Sequence, residues 1–157
     1  PQDYSQGGER TSKGIEASIT ANPVAGLNII AGYSFNDSEL TSAAPGDPFG
    51  GRRPESAGPE NLANLWASYR FTEGALRGFG LGFGGNYASE NKIFNRDNGT
   101  FTLPEYTILN ASAFYGFESF RITLKLDNIA NKEYYKGWST ISPQQLRSLS
   151  ANLKYNF

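Results

Sequence analysis

A glycine-rich run and a set of carboxylates are the residues in this chain that could form a binding site. Neither lies in the local structure that such a site requires. Residues 80–85 (GLGFGG) match the G-x-G-x-x-G spacing of a dinucleotide-binding loop. That loop joins a strand to a helix, whereas these glycines lie inside an alternating run. Carboxylates in the long polar segments offer oxygen ligands to a hard cation, but they are scattered without calcium-loop spacing: Asp37, Glu39, Asp47 and Asp97. We therefore predict no metal site and no cofactor.

The composition excludes most other site chemistry. The chain has 157 residues with no His and no Cys, which rules out thiol or imidazole nucleophiles, an imidazole base and a zinc site with N/S ligands. The 14 Lys and Arg residues nearly balance the 15 Asp and Glu residues, so the chain lacks an electrostatic footprint for nucleic acid. Carboxylate and lysine chemistry remain open, but we predict that the chain is not an enzyme and binds no nucleic acid.

The secondary structure predicted for this chain must account for an unusual combination of many aromatic residues with a low mean hydropathy. The chain is 14% aromatic with 18 Gly, yet its mean hydropathy is -0.48. No apolar run approaches the length of a transmembrane helix, and we expect no signal-peptide segment. Strict alternation of apolar and polar residues reconciles many aromatics with a low mean, because the two faces of a strand average out.

Such alternation occurs in seven segments: 15–21, 27–35, 63–71, 79–87, 109–115, 120–126 and 149–157. Apolar residues occupy every second position, with Gly, Asn, Ser, Thr or charged residues between them. No useful stretch has an apolar period near 3.6 residues. We therefore predict an all-β, antiparallel chain.

The links between the segments alternate strictly in length. Short turns follow the first, third and fifth segments, and the other three links are long: 36–62, 88–103 and 129–147. Transmembrane β-barrels have short periplasmic turns and longer extracellular loops, whereas a soluble β-sandwich has no reason for this asymmetry. The pattern favours a membrane barrel, with the odd-numbered side chains of 27–35 and 149–157 facing lipid.

Aromatic residues at the segment ends indicate the same orientation, because barrels carry aromatic girdles at both membrane interfaces. The predicted short-turn girdle is Phe71, Phe79, Tyr115, Phe120, Tyr155 and Phe157, and the opposite girdle is Tyr33, Phe35 and Tyr87. Residues 1–12 carry no outward apolar set and are interpreted as the end of an extracellular loop. The inward glycines of 79–87 indicate the wall of a wide barrel.

Seven strands do not close a bacterial barrel, since single-chain barrels have even strand numbers and lipid does not tolerate an open edge. We therefore expect either the C-terminal part of a larger barrel or pairing with strands of another chain.

Three runs resemble TonB-dependent outer-membrane receptors, and the second is similar to their siderophore branch: residues 124–135 (LKLDNIANKEYY), 137–149 (GWSTISPQQLRSL) and 103–115 (LPEYTILNASAFY). Gln145 and Leu146 depart from the Pro-Gly that is frequent in this family. The alternating Leu153, Tyr155 and Phe157 resemble the terminal signal that the barrel-assembly machinery recognises.

The resemblance implies a 22-stranded barrel in the bacterial outer membrane that takes up ferric siderophores, driven by TonB through an N-terminal plug. Residues 1–157 would be its C-terminal segment, with the plug domain and the earlier strands outside it. Bulky, often anionic ligands suit aromatic faces and Arg forks. The implied substrate-binding residues are Phe49, Arg52, Arg53, Trp66, Phe94, Arg96, Tyr134, Tyr135, Lys136 and Trp138.

Two alternatives remain open at this point. One is a small standalone outer-membrane barrel or adhesin with no transport role. The other is a barrel hydrolase, which lacks the His that such a site usually needs.

Overall fold

Strands account for nearly all regular structure in residues 8–43, 49–96 and 98–156, which the computed structural model describes. In chain order they are β1 (Gly8–Ala21), β2 (Leu27–Ala43), β3 (Asn61–Arg70), β4 (Phe79–Ala88), β5 (Asn91–Arg96), β6 (Gly99–Leu103), β7 (Tyr106–Phe117), β8 (Phe120–Asp127), β9 (Tyr135–Lys136), β10 (Ser142–Pro143) and β11 (Ser148–Tyr155). One short 3-10 turn spans Glu55–Ala57. The all-β prediction is confirmed.

Seven strands form one antiparallel sheet in the order β1-β2-β3-β4-β7-β8-β11. Each predicted segment corresponds to one of these strands. The two remaining pairs, β5 with β6 and β9 with β10, are small hairpins inserted into long links. All sheet neighbours are therefore consecutive along the chain once these insertions are set aside.

The register collects the apolar side chains on one face of the sheet. Ile19 stands opposite Ala31, Ala31 opposite Leu65, and the same matching continues to β11, where Leu153 faces Ile122. Residues directly opposite in an antiparallel pair share a face. Ile15 is 67% exposed and Leu149 is 72% exposed, so no second sheet within the described part of the chain covers this face, unlike the inner face of a soluble sandwich.

Large aromatic rings lie over the glycines of β4 on the polar face. A Cβ at Gly82 would stand 2.6 Å from Cζ2 of Trp66, and one at Gly84 would stand 2.8 Å from Cε3 of the same indole. The ring of Phe114 covers Gly80 in the same way. These glycines provide space for two large rings that lie against the sheet.

The first hairpin is longer than predicted. β1 begins at Gly8 rather than after residue 12, and β2 continues to Ala43 instead of ending near Phe35. Its added part is polar on the inner face, where the Oγ atoms of Ser12 and Ser38 are 2.9 Å apart. Apolar alternation is absent there, so the periodicity that marks a membrane strand did not reveal it.

With 14 and 17 residues, β1 and β2 exceed the roughly 9–11 residues that cross a bilayer. The excess lies at the end with the long links, called here the long-loop end. The short links at residues 22–26, 71–78 and 118–119 lie at the other end, the short-turn end.

Several residues of the predicted short-turn girdle pack against one another or against a neighbouring ring. Phe71 packs edge-on against Tyr69 at 5.1 Å between centroids and stacks with Phe79 at 6.2 Å. Phe120 packs against Tyr155 at 4.7 Å. Among the described residues, no helix is long and apolar enough to span a membrane.

Buried apolar side chains gather toward the long-loop end: Ala88, Ile93, Leu103 and Ile108. Ile93 and Leu103 belong to the β5–β6 hairpin, and Ala88 and Ile108 lie near the ends of β4 and β7 from which this hairpin extends.

Candidate functional site

The first long loop and the β5–β6 hairpin are joined by polar contacts. The amide Nδ2 of Asn95 donates to the carbonyl of Arg53 at 2.9 Å, and its backbone N–H donates to Oε1 of Glu55 at 3.2 Å. Arg96 donates from Nε to the same Glu55 oxygen at 3.3 Å. Glu55 thus connects two segments that are about forty residues apart.

Arg96 also brings together two predicted aromatic residues. Its guanidinium lies 4.9 Å from the centre of the Phe49 ring and 4.7 Å from that of Phe94. The side chain is 40% exposed. A cation over two aromatic faces is held in place while one edge remains open to solvent, so three of the predicted residues form a single surface.

The Arg53 side chain is hydrogen-bonded within the first long loop and to β2. Its Nη1 donates to the Asn36 carbonyl at 2.7 Å, its Nε and Nη2 both donate to the Gly58 carbonyl, and Nη1 lies 3.9 Å from Oε1 of Glu60. The side chain is only 10% exposed. These bonds anchor the loop to the middle of β2.

Arg52 is half-buried, and its backbone pairs with Leu40 on β2. Its own N–H donates to the carbonyl of Phe49 at 3.2 Å, which joins Arg52 to the segment that carries that ring. The prediction that Arg52 and Arg53 touch substrate stays a prediction.

The third loop contributes an aromatic and cationic group. The rings of Tyr106 and Tyr134 pack at 4.6 Å between centroids, and Nζ of Lys136 lies 5.6 and 5.7 Å from those two rings. Tyr135 and Trp138 are exposed. Tyr106, which also lines the polar face, was not among the site residues predicted from sequence.

An open trough of about 1080 Å³ runs along the polar face below this group. Its polar lining includes Glu16, Asn64, Asn86, Asn110, Lys125 and Asp127, and Tyr134 and Lys136 stand at its upper edge. Lys125 Nζ and Asp127 Oδ1 are 2.7 Å apart. The trough therefore offers amide and hydroxyl hydrogen-bonding groups together with four charged side chains, of which Lys125 and Asp127 pair with each other.

Trp66, one of the implied substrate-binding residues, lies in the middle of β3, half-buried over Gly82 and Gly84. It is also absent from the lining of the trough.

Asn128 makes hydrogen bonds that connect both ends of the third loop to β7. In the sequence it was identified only as part of a family motif. Its Nδ2 donates to the carbonyls of Lys132 and Gln145, its Oδ1 accepts from the Lys132 N–H, and its own N–H donates to Oδ1 of Asn110. It is 2% exposed and has a φ of 52°. Asn tolerates this left-handed conformation better than most residues, which explains the residue type.

The proposed assembly signal is only partly described. Leu153 faces Ile122 across the β8–β11 pair, and Tyr155 faces Phe120. Phe157 lies outside the described residues. Recognition by an assembly machinery stays a prediction. Within residues 8–43, 49–96 and 98–156, no three His, Cys, Asp or Glu side chains are grouped so that they could hold a metal ion.

Comparisons with known proteins agree with this architecture. A family model described as TonB dependent receptor-like, beta-barrel, matches residues 1–129. The chain is 29% identical to the ferrichrome outer membrane transporter/phage receptor of Escherichia coli K12, over 82% of this chain and 17% of that protein. It is 29% identical to the ferrioxamine receptor of Yersinia enterocolitica, over 98% of this chain and 22% of that one.

A solved structure gives the same fold. The ferripyoverdine receptor of the Pseudomonas aeruginosa outer membrane superposes with a TM-score of 0.76 at 21% identity, over 94% of this chain and 20% of that chain. The chain thus spans about a fifth of the length of these relatives. The family consists of transporters and receptors rather than enzymes. With its family model matched over most of its length, the chain belongs to the TonB-dependent receptor β-barrels of the bacterial outer membrane.

Proposed function

We propose that this chain is the C-terminal part of the barrel of an outer-membrane transporter that takes up ferric siderophores, driven by TonB. The observation that carries the proposal is the long-loop end, where the Arg96 surface and the Tyr134–Lys136 group stand above a polar trough. The named relatives are receptors or transporters for ferrichrome and ferrioxamine, which supports the same ligand class. We propose no enzymatic role.

The remaining parts of such a transporter are proposals too. The full barrel would have 22 strands, and the open edges of β1 and β11 would pair with strands outside this chain. TonB would act through a plug domain that is also outside it. The assembly machinery would recognise the segment that contains Leu153, Tyr155 and Phe157, and the apolar face would contact outer-membrane lipid.

The trough gives a way to test ligand contact with matched variants. Tyr134 lines the trough, whereas its neighbour Tyr135 does not. We expect Tyr134→Ala in the full-length receptor to reduce uptake of the transported siderophore at least tenfold, and Tyr135→Ala to change it less than twofold. The assay is uptake of radioactive iron as ferrichrome, ferrioxamine B or ferripyoverdine by cells that lack their other siderophore receptors.

The controls separate transport from binding and from expression. Cells without TonB should bind but not accumulate the ligand, and both Tyr variants should reach the outer membrane in equal amounts. If none of the ferric siderophores supports TonB-dependent uptake, the transport proposal is wrong.

The alternative of a standalone barrel or adhesin has a simpler test. The intact mass of the protein extracted from outer membranes should correspond to a chain several times longer than 157 residues. A stable, heat-modifiable species of about 17 kDa would instead support the standalone barrel.

A further inference from the structure

The short strand β5 is bonded to two long loops through asparagine side chains near its two ends. Nδ2 of Asn95 donates to the carbonyl of Arg53 in the first long loop at 2.9 Å. Nδ2 of Asn91 donates to the carbonyl of Gly137 in the third loop at 3.2 Å. The two asparagines are four residues apart on β5, so at about 3.3 Å per residue roughly 13 Å separates their Cα atoms. A single strand therefore joins two loops that are distant along the chain.

The strand between these two bonds is firmly held. It is paired with β6 at both of its ends. Three side chains of the hairpin are buried: Ile93, Asn95 and Leu103. Buried and paired segments open as cooperative units, so a displacement at Asn95 is passed on to Asn91 at the other end of the strand.

The bond to the third loop requires a particular residue type on the loop. Gly137 has a φ of 127°, a conformation that residues with a side chain rarely adopt. A Cβ at this position would clash with the carbonyl oxygen of Thr140. Glycine therefore lets the loop turn so that its carbonyl accepts the bond from Asn91. The preceding residue is Lys136, whose Nζ lies 5.7 Å from the centre of the Tyr134 ring, so the bond adjoins the aromatic and cationic group of the third loop.

The bond to the first loop adjoins the Arg96 surface in the same way. The N–H of Asn95 donates to Oε1 of Glu55 at 3.2 Å, and Nε of the next residue, Arg96, donates to the same oxygen at 3.3 Å. The Arg96 guanidinium lies over the rings of Phe49 and Phe94. Each end of β5 therefore lies next to one of the two groups that stand above the trough.

An open space lies between the two loops. A cavity of about 280 Å³ is lined by Pro59 from the first loop, by Trp138 from the third and by Leu103 from the β5–β6 hairpin. Close packing fixes the relative position of neighbouring segments in a protein interior, but it is incomplete across this space. The relative position of the loops therefore depends on the bonds through β5.

We propose that β5 couples the first long loop to the third, with Asn91 and Asn95 as positioning residues. Loosening of one loop is transmitted along the strand to the other, and the Arg96 surface keeps a fixed distance from the third-loop group. Both bonds join an uncharged amide to a carbonyl, so salt does not screen them as it screens the exposed ion pair of Arg96 with Glu55. The coupling does not depend on a ligand, and only the use of the fixed distance in ligand binding rests on the proposed function.

The test is hydrogen–deuterium exchange of the full-length receptor in detergent, without a siderophore. Asn95→Ala removes the side-chain bond to the first loop, and residues 134–144 of the third loop should then exchange at least threefold faster. Lys92→Ala, an exposed change on the same strand, is the matched control and should leave both loops unchanged. If third-loop exchange in Asn95→Ala equals that of the wild type, the proposal is wrong.

A second variant tests whether the effect passes through Asn91. Asn91→Ala alone should also accelerate exchange of residues 134–144. Adding Asn95→Ala to it should then increase exchange there by less than half, because the link is already broken. A full threefold increase in both backgrounds would overturn the proposal. Heat-modifiable migration of each variant verifies that the barrel has folded, and since no siderophore is present, the result holds whether or not the receptor transports one.

Discussion

The two ends of this wall differ in how several of their charged and amide side chains are bonded. At the long-loop end, Arg53, Arg96 and Asn128 bind to the chain's own loops and give those loops a fixed shape. At the short-turn end, Arg70 and Arg121 face the lumen without acidic partners among the described residues. The comparison shows that the same side-chain types give the loops a fixed shape at one end, whereas at the other end Arg121 lies over the ring of Phe114.

The largest effect is expected for Asn128→Ala in the full-length receptor, which tests whether this side chain gives the third loop its fixed shape. The substitution removes three side-chain hydrogen bonds and places Ala at a φ of 52°. Each lost bond costs about 1 kcal/mol, and the left-handed conformation of Ala costs at least about 1 kcal/mol more. We therefore expect the folded conformation of the third loop to be destabilised by roughly 4 kcal/mol. Limited proteolysis of intact cells should then cut within residues 129–147. Asn152→Ala, an exposed change on β11, is the control and should leave the loop resistant.

A second change acts on the first long loop. Arg53→Met keeps much of the side-chain volume but leaves the Asn36 and Gly58 carbonyls without their donor. A buried acceptor without a partner costs about 1–3 kcal/mol, so the loop should open more often and exchange its amide hydrogens roughly tenfold faster or more. Hydrogen–deuterium exchange of residues 52–60 measures this. Exchange in Arg10→Met, which changes an exposed side chain, should match the wild type.

The packing below the trough can be tested at Gly82. A methyl group there would lie 2.6 Å from the Trp66 ring and 2.7 Å from Oγ of Ser112. Overpacking of this kind typically costs about 1–3 kcal/mol, and the displaced indole should shift its fluorescence.

The control for Gly82→Ala is Gly99→Ala, whose new methyl would meet Phe94 at an ordinary 3.5 Å. Trp66→Leu combined with Gly82→Ala should recover stability. If Gly82→Ala were as stable as the wild type with unchanged fluorescence, the ring would not lie where the structure places it.

The smallest expected effect concerns the Arg96 surface. The ion pair between Arg96 and Glu55 is partly exposed. The coupling free energy between the two side chains should therefore be only about 0.5–1 kcal/mol. A double-mutant cycle with Arg96→Gln and Glu55→Gln, measured by exchange of residues 91–96, should give this value. The coupling should also fall at high salt, which screens exposed charges. Coupling that is unaffected by salt would show that the stacking on Phe49 and Phe94, rather than the charge pair, holds the loops.

The sequence predicted the strands well because each membrane strand carries a strong period-2 signal. Residues such as Ile15, Leu65 and Leu153 identify the apolar face without any knowledge of their neighbours. The upper half of the first hairpin was missed because Ser12, Asn36 and Ser38 bond to one another instead of alternating with apolar residues. Local pattern carries no information about such cross-strand partners.

The site was less predictable, since recognising it required contacts between segments that are distant along the chain. Phe49, Phe94 and Arg96 were identified individually, but nothing in their spacing places them together. Tyr106 was missed as a site residue because its role depends on its contact with Tyr134. Asn128 was missed as a loop-stabilising residue because its role depends on the Lys132 and Gln145 carbonyls.

The sequence alone determined the all-β class, the alternation of short and long links, and the division into an apolar and a polar face, because each depends on residue order along one strand. Only the tertiary structure decided which cations are paired and which are left open. That distinction depends on distances between strands and loops: Arg96 meets Glu55 across about forty residues, while Arg121 meets Lys154 through strand register.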